Sequence, residues 1–304
     1  MRTPRGTCSV LPSANKGLMI GALGVLIFAM TLPMTRLAVG PLEAPQLPPA
    51  FVTAGRAAGA GLLSVVYLWA VGAARPRGAQ WGLLGVSALG TVLGFPLGLA
   101  LALRQVPSMH AAVITGLLPL TTAAIAALAL RQRASLGFWV CAVLGCALVL
   151  AFAAHEGGGA LVAADGWLLM AMLCASGGYV AGARLSAQMP AEQVISWVLV
   201  MSLPLTLPAA WWSAPDTFAS VQAASWGAFA YVTVFSMWLG FFAWYRGLAL
   251  GGALRVSQVQ LIQPFLSLLL AVPVLGEALK PATLGFSVAV IAVVFVGKRM
   301  PVGR

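Results

Sequence analysis

Charge is what this chain has least of. Only 8% of its 304 residues are Asp, Glu, Lys or Arg, and 61% are hydrophobic. An ordinary soluble domain is about a quarter charged. No soluble packing hides this much apolar surface, so the class is an all-α polytopic membrane protein. Acidic residues are scarcer still, 6 against 17 Lys and Arg, for a net charge of +11. The basic residues form no clustered face of the kind nucleic acid requires. That excludes a nucleic-acid partner and leaves them as topology signals beside a lipid bilayer. Cys8, Cys141, Cys146 and Cys174 have no metal-ligand or redox spacing. No metal and no cofactor is therefore expected. H-E-x-x-H, G-x-S-x-G and Walker sequences are all missing. Their absence excludes ATP-driven transport and gives an enzyme no footing. "GRAAGAG" at 55–61 is no dinucleotide loop, since no strand precedes it.

What is present is a series of apolar runs, near 17–36, 50–72, 81–103, 107–130, 135–154, 166–186, 193–213, 225–246, 253–276 and 282–298. Each is close to the ~20 residues that a bilayer requires, which predicts ten transmembrane helices. The first run follows a basic start but is long and lacks an A-x-A site, so it reads as an uncleaved span. With the N-terminus inside, only Arg36, Arg56, Arg104 and Lys280 of the 17 basic residues fall outside. Five of the 6 acidic residues do: Glu43, Glu156, Asp165, Asp216 and Glu277. Both termini are thus expected in the cytoplasm.

The runs repeat. "TVLGFPLG" at 91–98 matches "MWLGFFAW" at 237–244, and "SLGFWVCAVLGCALVL" at 135–150 matches "TLGFSVAVIAVVFVGK" at 283–298. "LLPLTTAAIAALALRQ" at 117–132 matches "IQPFLSLLLAVPVLGE" at 262–277, with Pro119 and Pro264 in register. Residues 1–156 and 157–304 are read as two five-helix units. Five is odd, so the second enters the membrane from the opposite side. An inverted repeat of this kind predicts alternating access around a midplane site.

These residues resemble a known family. The P-x12-E helix ending in "LGE", Arg56 early in the second run, Arg36 closing the first and the 5+5 layout are similar to the drug/metabolite transporter superfamily, in its ten-helix EamA type. Two features depart from it. "LRQR" stands where Gly-Glu follows the fourth helix, and "FAMTLPMT" lacks Trp-Gly in the first. The resemblance implies a bacterial inner-membrane exporter of small metabolites, often amino acids and in one branch aromatic ones. A carrier for a nucleobase, vitamin or xenobiotic, or a channel-like facilitator, is the alternative.

Candidate site residues follow from polarity at membrane depth. In the ninth run Ser257, Gln260, Gln263, Pro264 and Ser267 share a helical stripe, while Gln258 points toward Arg255. An amide offers two donors and two acceptors, which suits a zwitterion. The competing reading is hydrogen bonding that only holds helices together. The counterpart stripe carries Thr115, Pro119 and Thr122. Pro119 and Pro264 each free a carbonyl one turn earlier, as a fixed kink or a hinge. Trp238, Phe241, Phe242 and Tyr245 make one aromatic face by α-helical spacing, either pocket or packing. Tyr179, Arg56 and His110 complete the set, with Arg56 a contact for a substrate carboxylate or a snorkelling side chain. Gly90, Gly94 and Gly98, like Gly55 and Gly59, read as close-packing positions. The partners expected are a small-molecule substrate and lipid, with the chain a monomer or weak oligomer. All six carboxylates fall at membrane edges, so any proton coupling would have to use Glu277, Glu43 or His110.

Overall fold

The structure is a computed structural model that describes residues 11–129, 133–156, 161–215, 217–251, 257–300 and 302–303. It is all-helical apart from one two-residue antiparallel pairing of Arg133–Ala134 with Val302–Gly303. Among the described residues, eight helices are long and apolar enough to cross a membrane. They are α1 (Asn15–Val39), α2 (Pro49–Ala70), α3 (Gln80–Gln105), α4 (Ser108–Ala129), α5 (Leu136–Glu156), α6 (Ala163–Ser186), α7 (Ala191–Trp212) and α8 (Ala223–Gly247). Two shorter apolar helices follow, α9 (Val259–Leu275) and α10 (Pro281–Gly297). Apolar side chains such as Trp69, Leu136 and Trp211 are largely exposed. That is how a bundle solvated by lipid tails looks. The chain is a multi-pass membrane protein.

The helices pair by close approach. α1 packs on α8, α2 on α7, α3 on α6, α4 on α9 and α5 on α10. The small-residue positions sit in these seams. A Cβ on Gly90 would lie 2.8 Å from the backbone of Gly178 in α6. One on Gly94 would meet Cys174 Sγ, and one on Gly59 would meet Thr233 of α8. Backbones this close gain dispersion contact over their whole length, which is what drives helix association where the solvent is apolar.

Five places depart from α-helical geometry. α1 turns at Met30, α3 is π-helical over Ala88–Gly94, and α4 breaks at Gly116–Leu117. α8 is π-helical over Val232–Leu239, and α9 opens as a 3-10 stretch over Ser257–Ile262. The breaks in α4 and α9 precede Pro119 and Pro264, whose rings displace the carbonyl four residues back. In α1, Pro33 leaves the Ala29 carbonyl without its helical donor. Ser267 Oγ of α9 donates to that carbonyl at 2.8 Å.

Candidate functional site

All five departures border one cavity. Its wall is built by Phe28, Thr31 and Leu32 of α1, Arg56 of α2, and Thr91, Phe95 and Leu99 of α3. Thr115 and Leu118 of α4, Tyr179 of α6, Ser236, Met237 and Phe241 of α8, and Gln263 of α9 close it. Irregular backbone inside a membrane is tolerated where it is buried in protein or lines a polar space. Here each break places a polar residue at the wall: Thr31, Thr91, Thr115, Ser236 and Gln263. The space open to water centres is about 50 Å³. At ~10–15 Å³ for each water, it holds roughly three to five. A smaller void of about 20 Å³ lies beyond Thr115, Leu118 and Gln263, against Pro119, Gln260 and Pro264.

Arg56 is 3% exposed, seven residues past Pro49. A rise of 1.5 Å per residue puts it about 10 Å inside the end of α2. Its Nη2 reaches Ser236 Oγ at 3.4 Å, and Ser236 shares a 2.8 Å hydrogen bond with Thr31 Oγ1. Arg56 Nε and Nη1 have no hydrogen-bond partner, and neither has Gln263 Oε1. The aromatic wall is Phe28 edge-on to Phe241 at 5.1 Å, with Tyr179 6.4 Å from Phe241.

The expected site residues divide. Arg56, Thr115, Tyr179 and Gln263 line the cavity, and Gln260, Pro119 and Pro264 line the smaller void. Ser267 is occupied by the Ala29 carbonyl. Thr122 donates to Ser176 Oγ at 3.1 Å, joining α4 to α6. Trp238 and Phe242 pack on Tyr67 at 6.3 and 4.8 Å, and neither is among the cavity-lining residues. Phe241, a member of the same expected face, is among the cavity-lining residues. The side chains of Ser257 and Gln258, and all of Arg255, fall outside the described residues.

His110 is not at the cavity. It is 5% exposed, and its Nε2 lies 2.6 Å from Oδ1 of Asp165, itself 2% exposed. Asp165 starts α6, accepts the Val162 N–H through Oδ2 at 2.9 Å, and is covered by the fold. The sequence runs beginning at 107 and 166 gave no sign of this pair; in the structure His110 and Asp165 are each the third residue of their helix. Nearby, Glu277 caps α4, its two carboxylate oxygens accepting the amides of Ser108 at 2.7 Å and Met109 at 2.9 Å. Arg36 Nη1 donates to the Leu103 carbonyl. Arg36, Gln46, Gln222 and Glu277 border a vestibule of about 340 Å³ at this end of the bundle.

A lipid-solvated helical bundle whose backbone irregularities converge on a buried polar cavity belongs to the class of membrane transporters. The EamA-like transporter family model matches residues 15–153 and again 162–297, and the chain belongs to that family. It is 42% identical over 285 residues to the uncharacterized transporter YdeK of Bacillus subtilis (strain 168), covering 94% of this chain and 98% of that one. A crystal structure superposes with a TM-score of 0.63 at 21% identity, over 92% of this chain and 95% of the other, and so shares the fold.

Proposed function

We propose that this chain is a secondary transporter that exports small metabolites, foremost amino acids with aromatic or other apolar side chains. It works by alternating access through the cavity, in the inner membrane, with both termini in the cytoplasm. The observation that carries this reading is the convergence of all five backbone irregularities on one polar space. Two of them fall in α3 and α8 and two in α4 and α9, the mates expected from the repeat. The helix contacts follow the same symmetry. Exchanging α1 with α6 and α3 with α8 turns the α1–α8 seam into the α6–α3 seam, while the α2–α7, α4–α9 and α5–α10 seams map onto themselves. The double family match supports two tandem units as well.

In this reading Pro119 and Pro264 are the hinges, and Gln260 lines the path on the cytoplasmic side of the cavity. The cavity has room for only a few waters. Larger cargo enters as the half-helices of α4 and α9 rock. The test is counterflow in sealed proteoliposomes made with the full chain. Labelled phenylalanine or leucine outside should accumulate transiently when the unlabelled amino acid is loaded inside, and initial rates should saturate. Flux without counterflow would mean a channel. Saturable counterflow of a nucleobase, but of no amino acid, would move the substrate class.

A further inference from the structure

Burying a cation without a partner costs several kcal/mol, and the described structure leaves Arg56 in that position. Two of its three guanidinium nitrogens have no partner, and the third has one long bond. Among the described residues no carboxylate forms a salt bridge with it. The two salt bridges among the described residues are His110–Asp165 and Lys280–Glu156. The same cavity presents a second vacancy of opposite polarity, the partnerless acceptor Gln263 Oε1. An unpaired donor fork and an unpaired acceptor on one small space are complementary to a molecule that carries an anion and a cation a few ångströms apart.

Resting on the transporter reading, we infer that Arg56 receives the α-carboxylate of the substrate and Gln263 Oε1 its α-ammonium. The substrate side chain is left against Phe28, Phe95 and Phe241. A guanidinium presents paired N–H donors that match the two oxygens of a carboxylate. The ammonium donates to the amide oxygen, and no Asp or Glu is among the described residues that line the cavity. The site therefore recognises the zwitterion at one end and an apolar group at the other. Arg56 neutralises the carboxylate only while substrate is bound, so carboxylate binding removes a penalty that the empty site carries.

The test uses three probes that differ by one group: phenylalanine, 3-phenylpropanoate, which lacks the amine, and phenethylamine, which lacks the carboxylate. Each competes with labelled phenylalanine for counterflow. Wild type should rank them in that order, with phenethylamine at least about 10- to 100-fold weaker than phenylalanine, the worth of hydrogen bonds to a charged group. Gln263→Leu should raise the KM of phenylalanine toward that of 3-phenylpropanoate and leave 3-phenylpropanoate unchanged. Arg56→Gln should erase the preference for phenylalanine over phenethylamine. Phenethylamine competing as well as phenylalanine in wild type would overturn the assignment without any variant. So would a Gln263→Leu protein that loses both acids equally. If no amino acid shows counterflow, the amino-acid reading fails first and takes this assignment with it.

Discussion

Removing the carboxylate of Asp165 should destabilise the fold more than any other single change to a charged side chain outside the cavity. The side chain holds two partners at once. Oδ1 meets His110 Nε2 at 2.6 Å and Oδ2 accepts the Val162 amide at 2.9 Å. Both His110 and Asp165 are almost fully covered, His110 by Phe152 at 5.1 Å among others. Asp165→Ala leaves a buried imidazole N–H or lone pair without a partner and uncaps α6. Breaking a buried pair from one side costs ~3–5 kcal/mol. Asp165→Asn retains one acceptor oxygen for two donors. It should lose about 1.5–3 kcal/mol, the worth of one hydrogen bond to a charged group. At about 2 °C per kcal/mol for a chain of this size, the midpoint of thermal unfolding in detergent should fall by roughly 6–10 °C for Asp165→Ala and about half that for Asp165→Asn. A cycle with His110→Ala should show a coupling of at least ~1 kcal/mol, as expected for residues in contact. Additive single effects, or an Asp165→Ala midpoint within a degree of wild type, would refute the claim that the pair is a structural bond between α4 and α6.

Glu277→Ala should leave the Ser108 and Met109 amides without an acceptor and cost ~1–2 kcal/mol, as a lost helix cap does, while Glu277→Gln recovers about half in the same unfolding assay. Gly90→Ala should fail to assemble or unfold at a much lower temperature, because its Cβ would press on the backbone of Cys174 and Gly178; overpacking against unyielding backbone costs at least ~1–3 kcal/mol. Gly82→Ala is the control, with nothing within 4 Å of the added carbon. A cysteine placed at position 304, in a chain whose own four cysteines are serine, should resist impermeant thiol reagents in intact cells; labelling there would reverse the proposed orientation.

Much of the fold was readable because the bilayer leaves the chain few options. Apolar runs near 20 residues mark helices whatever their neighbours do. The spacing of Gly90, Gly94 and Gly98 marks a seam because only small residues let two backbones meet, and α6 does meet α3 there. The π-helical stretches Ala88–Gly94 and Val232–Leu239 carried no such signal, though they overlap the similar segments 91–98 and 237–244. The site was legible only in part. Arg56, Thr115, Tyr179 and Gln263 carry the signal of polarity at membrane depth, and they line the cavity. Ser267 and Thr122 carry the same signal, yet each is consumed by a neighbour, the Ala29 carbonyl and Ser176. A hydroxyl engaged by a neighbour and one facing a cavity look alike in one dimension. The aromatic face could be read as pocket or as packing, and it divides: Phe241 lines the cavity, while Trp238 and Phe242 pack on Tyr67.

The irregular helices explain why the site exists at all. An unbroken α-helix satisfies its own backbone and offers a substrate nothing but side chains. Here α1, α4 and α9 each carry a proline near the cavity, at Pro33, Pro119 and Pro264, and each loses part of its ladder there. One freed carbonyl, that of Ala29, is repaired by Ser267 across the α1–α9 contact. That repair ties the break in α1 to the helix that carries Gln263, four residues earlier on α9. Ser267→Ala should therefore act on both. It orphans a buried carbonyl, at ~1–3 kcal/mol, and loosens the register of Gln263 against Arg56. The expected outcome is a lower unfolding temperature together with a raised KM for phenylalanine, although Ser267 is not among the cavity-lining residues. Ser267→Thr, which keeps the hydroxyl, should restore both. A Ser267→Ala protein with lowered stability and unchanged KM would show that the break in α1 and the position of Gln263 are independent.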